Sequence, residues 1–332
     1  MSKATLALVG VAAASAVVGA IVGVRAAESR ALARWEDNPD PTLGEPTTLV
    51  GEETTITTRD GGCLHVVSAG QGPVAVLAHG ITANVDEWAP VAGRLVAAGL
   101  RVVAYDERGH GRSRPGSGGC TLEALGTDLL DVLAIVAPRD AILVGHSMGG
   151  IAILSALDQA PDVVNQCRGV ALVATVARAR DDRFTRLQIR VVSSELPPRL
   201  MSNERHGRVL ARSGYGDSPS VAMLDGTRRN WMTTPTATRA GFIRAMRGFD
   251  LLEVVSRLTC PTVVVCGDRD KVTPLAENEA IAARLPNGTI DVVAGAGHVI
   301  IKEQPDRVAQ DVLRLAGHDL AAAPPNAWAS TT

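Results

Sequence analysis

Hydrophobic and polar positions along the chain change rhythm repeatedly, and each change predicts an element. Short apolar, β-branched runs recur at Thr54–Thr58, Cys63–Ser68, Val74–Ala78, Arg101–Tyr105, Ala141–Val144, Gly169–Ala174, Thr262–Cys266 and Thr289–Val293, which reads as eight strands. The first two flank Asp60-Gly61-Gly62, a hairpin signal, whereas the later runs are nearly all apolar, as strands covered on both faces should be. Helical spacing occupies the intervals near 85–98, 121–136, 148–160, 275–284 and 305–316. An antiparallel start followed by βα repeats predicts an α/β fold: a mainly parallel eight-stranded sheet with helices on both faces. The rhythm breaks between Ala177 and Leu258, where patterns such as Thr238–Arg247 are helical, no strand is evident and the length exceeds an ordinary connection. A helical cap inserted after the sixth strand accounts for it.

The two ends differ from this body. Every residue from Leu6 to Val24 is Leu, Val, Ile, Ala, Gly or Ser, and as a helix the stretch would rise about 28 Å, close to a bilayer core. It predicts an uncleaved membrane anchor, with a cleaved signal peptide as the competing reading. Arg25, Arg30 and Arg34 on one side outnumber Lys3 and the amino terminus on the other, which favours a cytoplasmic body; export after signal cleavage is the alternative. Pro39, Pro41 and Pro46 mark a linker. The expected organisation is an anchor or signal over 1–26, a linker over 27–53, the α/β body over 54–318 with its cap at about 177–258, and a loose tail over 319–332.

Composition narrows the function. The 332 residues are 46% hydrophobic and 20% charged, which excludes a disordered chain, and a net charge of −2 with 3% aromatic residues argues against a nucleic-acid binder. Five cysteines without C-x-x-C spacing indicate neither a disulfide framework nor a zinc site. Cys260 and Cys266 read as buried thiols. No metal or other cofactor is expected. Residues 178–250 carry fourteen Arg and no Lys against seven acidic residues; such a basic cap could receive an anionic lipid or membrane surface, or simply present a solvated helical face.

The candidate chemistry begins at Gly145-His146-Ser147-Met148-Gly149, a G-x-S-x-G sequence between a strand and a helix. That setting is required of a nucleophile elbow, in which glycines permit the sharp turn that exposes the serine. A capping serine in a glycine-rich turn is the bland alternative. A serine hydroxyl needs a neighbouring base, itself oriented by an acid. His298 follows the last strand and so falls at the same sheet edge as Ser147. Asp268 and Asp270 follow the seventh strand at that edge, and one of them is expected to be the acid while the other accepts turn N–H groups.

Taken together these segments resemble the α/β-hydrolase superfamily, over roughly residues 54–316 and in the triad order Ser, Asp, His. His79-Gly80-Ile81 is similar to the family's oxyanion segment, and Asp106-Glu107-Arg108-Gly109-His110-Gly111-Arg112-Ser113 to its D-x-R-G-x-G-x-S loop. The family's G-x-x-D-x-x-x-P spacing falls on Gly267, Asp270 and Pro274, which prefers Asp270 over Asp268, and Glu303-Gln304-Pro305 after His298 is also similar. The resemblance implies an oxyanion hole formed by the backbone N–H groups of Ile81 and Met148. It implies structural turn roles for His79 and His110. Arg108 and Arg112 could bind an anionic substrate, but their loop position favours structural or exposed roles. The expected enzyme is a serine hydrolase of carboxylic esters, esterase- or lipase-like, working through an acyl-enzyme on a small-molecule or lipid ester. Acyl transfer or a cofactor-free haloperoxidase-like reaction on the same residues is the alternative, and a non-catalytic binding protein is a further one.

Overall fold

The computed structural model describes residues 47–136, 139–179, 190, 194, 196–217 and 219–318. Eight strands form one sheet: β1 (Glu52–Thr57), β2 (Cys63–Ala69), β3 (Val74–Ala78), β4 (Arg101–Tyr105), β5 (Ile142–His146), β6 (Gly169–Val173), β7 (Thr262–Gly267) and β8 (Gly288–Val293). Their order is β1-β2-β4-β3-β5-β6-β7-β8, with β1/β2 and β2/β4 antiparallel and all later pairs parallel. This is the mainly parallel α/β sheet that the hydrophobic rhythm predicts.

Alternation along the strands supplies both faces. Val76, Val103, Leu143, Leu172 and Val264 point to one side, where they pack with α2 (Leu122–Val136), α3 (Met148–Gln159) and α9 (Leu275–Ala282). Their sequence neighbours Leu77, Val102, Val144, Val173 and Val265 point to the other and meet α1 (Ala89–Ala97) and α11 (Pro305–Leu315). Side chains alternate with period two in a strand, so a run covered on both faces must be apolar throughout. β8 departs from the expected double cover: it is the sheet edge, Ile290 and Val292 are 37% and 41% exposed, and only its β7 side is paired.

Between β6 and β7 lie α5 (Leu196–Ser202), α6 (Glu204–Arg212), α7 (Val221–Thr233) and α8 (Thr236–Ala245); α4 (Pro161–Asn165) precedes β6 and the single-turn α10 (Ile300–Glu303) follows β8. The chain leaves and re-enters the body side by side, with Ala179 N–H donating to Phe249 O at 2.9 Å and Leu251 N–H to Ala177 O at 2.7 Å. Several arginines of this segment are used internally: Arg208 forks onto Asp225, Arg228 reaches Asp225 and Met201 O, and the buried Arg239 stacks over Trp231. Part of its excess of positive charge is therefore used inside the fold.

The membrane-anchored placement is corrected. No helix among the described residues is long and apolar enough to cross a membrane. The longest, α2, has 15 residues, which rise about 22 Å against a hydrocarbon core of about 30 Å. The run Leu6–Val24 that prompted the expectation lies outside the described residues, as do the linker up to residue 46 and the tail from residue 319. Association with a membrane through the amino terminus, and a cytoplasmic or exported body inferred from it, have no support here.

Candidate active site

Ser147 stands between β5 and α3 with φ 53° and ψ −114°, a left-handed conformation that costs a non-glycine residue about 1–3 kcal/mol and persists only where surroundings enforce it. They do. A Cβ on Gly149 would lie 2.1 Å from Ala78 O, and one on Gly145 would lie 2.5 Å from Gly149 O, so both flanking glycines are required by close backbone approach. Ser147 N–H donates to Val173 O at 2.9 Å and Thr175 Oγ1 donates to Ser147 O at 2.7 Å, which pins the turn to β6.

His298 and Asp270 arrive from two other strand ends. His298 Nε2 lies 3.0 Å from Ser147 Oγ, and His298 Nδ1 lies 2.9 Å from Asp270 Oδ2. Asp270 is 6% exposed, and its second oxygen accepts the Val272 and Thr273 N–H groups at 2.7 and 2.8 Å. Thr273 Oγ1 donates to Oδ2 at 2.5 Å. Burial pushes the Asp270 carboxyl upward, but the hydrogen bond and charge of His298, with the Thr273 bonds, outweigh it and hold the group below the usual carboxylate range. Asp268 has a different partner: Oδ1 accepts Gly295 N–H at 2.8 Å and so closes the turn before His298. A hydroxyl bonded to an imidazole, and that imidazole bonded to a fixed carboxylate, can deliver a nucleophile while passing its proton to nitrogen.

The Ile81 and Met148 N–H groups have no acceptor among the described residues. Met148 is the first residue of α3, where the N–H groups of an opening helix have no intrahelical partner. Both residues flank Ser147 in space: Ile81 lines its cavity, and a Cβ on the neighbouring Gly80 would meet Ser147 Cβ at 3.1 Å. Two such donors can stabilise charge on a carbonyl oxygen. The cavity has a volume of about 210 Å³, and its walls include Ile81, Met201, Leu210, Trp231 and Val299 together with Glu87.

A family model described as the alpha/beta hydrolase family matches residues 75–311. The chain belongs to that family. It is 28% identical to a non-heme chloroperoxidase from Kitasatospora aureofaciens, over 74% of this chain and 91% of that protein. It is 29% identical to a pimeloyl-[acyl-carrier protein] methyl ester esterase from Xanthomonas axonopodis pv. citri, over 76% and 98%. An esterase from Exiguobacterium antarcticum superposes with a TM-score of 0.72 at 19% identity, covering 81% of this chain and all of that one; at that identity the likeness concerns the fold.

Other residues of this alpha/beta hydrolase that carried sequence expectations hold the site's frame. His79 Nδ1–H donates to Gly80 O at 2.7 Å while its Nε2 accepts Glu107 N–H at 2.9 Å, tying the Ile81 segment to the loop after β4. His110 is buried, and burial beside His79 pushes its imidazole down to about 3. Arg108 is buried, not exposed: it forks onto Asp128 at 2.6 and 2.7 Å and reaches Asp60 at 3.0 Å. Arg112 is exposed and pairs with Glu53.

Four contributors escape sequence reading. Thr273 backs Asp270. Glu303, noted only as a family similarity, accepts Gly216 and Gly297 N–H groups at 2.7 and 2.9 Å and thereby ties the segment after α6 to the His298 loop; burial raises its carboxyl to about 7 against those bonds. His146 Nε2–H donates to His298 O at 2.8 Å, and burial, then the charge of His298, pushes its imidazole down to about 3, so it stays neutral. Glu87 belongs to the cavity wall. A short spacing rule could have found Thr273, three residues after Asp270; the others depend on partners far away in sequence. Of the apolar residues between β6 and β7, Trp231 lines the cavity, Phe242 is packed into a cluster with Leu122, Met148 and Ile151, and Phe184, Leu187 and Ile189 lie outside the described residues.

Proposed function

We propose that this hydrolase cleaves small carboxylic esters, with Ser147 as nucleophile, His298 as general base and then acid, and Asp270 as the residue that orients His298. The observation that carries the reading is the continuous bond chain from Asp270 through His298 to the strained Ser147, opening on an apolar cavity. Ser147 Oγ adds to the ester carbonyl as His298 Nε2 takes its proton, and Ile81 and Met148 N–H groups stabilise the oxyanion. Collapse expels the alcohol, which leaves with the proton from His298. Water, deprotonated by His298, then attacks the acyl-enzyme, and the acid departs with Ser147 restored. The α/β body is assigned to residues 54–318, with the helices between Ala177 and Leu258 as a cap over it.

The likeness to non-heme chloroperoxidases favours a second use of the same acyl-enzyme, in which an acceptor other than water releases the acyl group. Product analysis with water, alcohol and peroxide as competing acceptors distinguishes the outcomes. The role of Ser147 is tested directly by Ser147→Ala. Ester turnover should fall by a factor on the order of 10⁶, the scale of serine removal in a serine protease, and labelling by a fluorophosphonate probe should vanish. Labelling retained at another serine would overturn the assignment.

A further inference from the structure

Glu87 is the one acid among the described residues of the cavity wall. It lies in the 3-10 turn Val85–Trp88, whose first N–H groups are capped by Asn84, and it is only 5% exposed. One carboxylate oxygen, Oε1, is fully engaged: Lys302 Nζ donates to it at 2.8 Å, and Asn230 Nδ2 donates to it as well. The lysine sits just past the His298 loop and neutralises the charge. The other oxygen, Oε2, accepts nothing from the described residues, yet it is not among the molecule's sealed polar atoms without a partner.

The surroundings of that oxygen are the neighbouring cavities. Glu87 stands between two of them: the one at Ser147, and a second of about 260 Å³ lined by Thr47, Asp86, Arg229, Asn230 and Lys302. Lys302 and Asn230 border the second cavity and not the first. The bonded oxygen is held by these two residues at the border of the second cavity, and the unbonded one has no donor among the described residues of either cavity. Among the described lining residues of the cavity at Ser147, Glu87 is the one carboxylate, and the hydroxyl of Thr227 is already engaged with Tyr215 Oη at 2.7 Å.

An acceptor with no donor is cheap while water reaches it and costly once a substrate displaces that water. A substrate that places a methyl or another acceptor there strands the oxygen; one that places an O–H or N–H there satisfies it. Discrimination of this kind is far steeper than that for an added methylene. The cavity's volume of about 210 Å³ lies below the roughly 300–1,000 Å³ of sites for drug-sized ligands, which favours a small substrate.

We propose that Glu87 is a specificity-determining residue whose free oxygen selects small esters bearing a neutral hydrogen-bond donor, a hydroxyl or an amide N–H, on the part that fills the cavity. The proposal rests on the ester-hydrolase reading of Ser147. Carboxylate-bearing esters are disfavoured by the same oxygen, and an ammonium group is not required, because Lys302 already supplies the compensating charge.

The test uses three short esters of one skeleton that differ at a single carbon, carrying a hydroxyl, a methyl or a carbonyl oxygen. In the wild type kcat/KM for the hydroxyl ester should exceed that for the carbonyl ester by about 10- to 100-fold, with the methyl ester between. Glu87→Gln keeps an oxygen for Lys302 but offers the cavity an amide N–H₂, so the hydroxyl-to-carbonyl ratio should collapse to near one. Fluorophosphonate labelling of Ser147 checks that the variant is folded around an intact nucleophile. A wild-type ratio near one overturns the proposal whatever the variant does, and so does an unchanged ratio in a variant that labels normally. A residue that merely braced the fold would alter all three substrates alike. If the wild type neither labels nor turns over any of the three, the ester reading itself has failed, and the proposal falls with it.

Discussion

Two histidine–aspartate pairs sit at the edge of this sheet, and they differ in what surrounds an almost identical bond. In both, Nδ1 meets an Asp Oδ2 at 2.9 Å: His298 with Asp270, and His65 with Asp106. Even a serine accompanies each. Ser113, however, accepts His65 N–H at 2.8 Å and donates to Asp106 O at 2.7 Å, so its hydroxyl is engaged by backbone on both sides. His65 Nε2 is buried without a hydrogen bond, 3.7 Å from Glu53 Oε2. Asp106 also accepts Val85 and Arg112 N–H groups, each at 2.9 Å, which fixes the loop after β4 against the turn that carries Glu87. His298 Nε2 instead meets the hydroxyl of Ser147, which borders a cavity. A His–Asp bond by itself thus organises loops; the third partner and the open space turn such a pair toward chemistry.

The sharpest way to separate the pairs is to remove one negative charge from each. In a serine protease, Asn in place of the orienting Asp costs about 10⁴ in kcat because the imidazole is held in the wrong tautomer, equivalent to about 5.5 kcal/mol. Asp270→Asn is expected to lose a comparable factor while remaining folded. It should also change acid stability. Asp270 is held below its ordinary value of 3.8, so its contribution is present at neutral pH and is lost as pH falls through the native pKa, below that value. Urea unfolding followed from pH 5 downward should be flatter in the variant. Near wild-type kcat would remove Asp270 from the proposed mechanism.

At the structural pair the effect moves from rate to stability. Asp106→Asn leaves one buried N–H facing an amide nitrogen, and each buried donor stripped of its acceptor costs about 1–3 kcal/mol. The expected loss of unfolding free energy is of that order, with kcat within a few-fold once the protein is folded. Urea midpoints and initial rates measured on the same preparation decide it. A fall in rate as large as that for Asp270→Asn, without loss of stability, would mean that the two pairs are not distinct in kind.

The same contrast explains how much was legible in the sequence. Strand alternation and the glycines around Ser147 are local signals, because period-two burial and close backbone approach act within a few residues. They located β3 to β7, the elbow and the edge that carries His298. The motif spacing also picked Asp270 over Asp268, and the hydrogen bonds are divided accordingly. What could not be read was set by distant partners: Lys302 and Asn230 meet at Glu87, and Glu303 joins Gly216 to Gly297. The fate of some charges was hidden for the same reason, since Arg208, Arg228 and Arg239 find acids and carbonyls that no count along the chain reveals. The apolar run near the amino terminus gave a membrane expectation that no helix among the described residues supports.

The smallest expected effect concerns Asp268, which lies two residues from Asp270 and serves the same loop as His298. Its Oδ1 accepts Gly295 N–H at 2.8 Å, and its side chain is 35% exposed beside Arg269. Gly295 has φ 76°, so the turn needs that anchor less for shape than for closing a backbone donor that water can also reach. An Asn side chain presents the same oxygen at the same reach. Asp268→Asn should therefore cost no more than about 1 kcal/mol of stability, the net worth of one ordinary hydrogen bond, and leave kcat within about twofold. Any misplacement of His298 that the turn transmits would show as a fall in kcat at unchanged KM. Rate losses approaching those of Asp270→Asn would move the orienting acid to Asp268 and place the Asp270 bonds among those that only brace the loop.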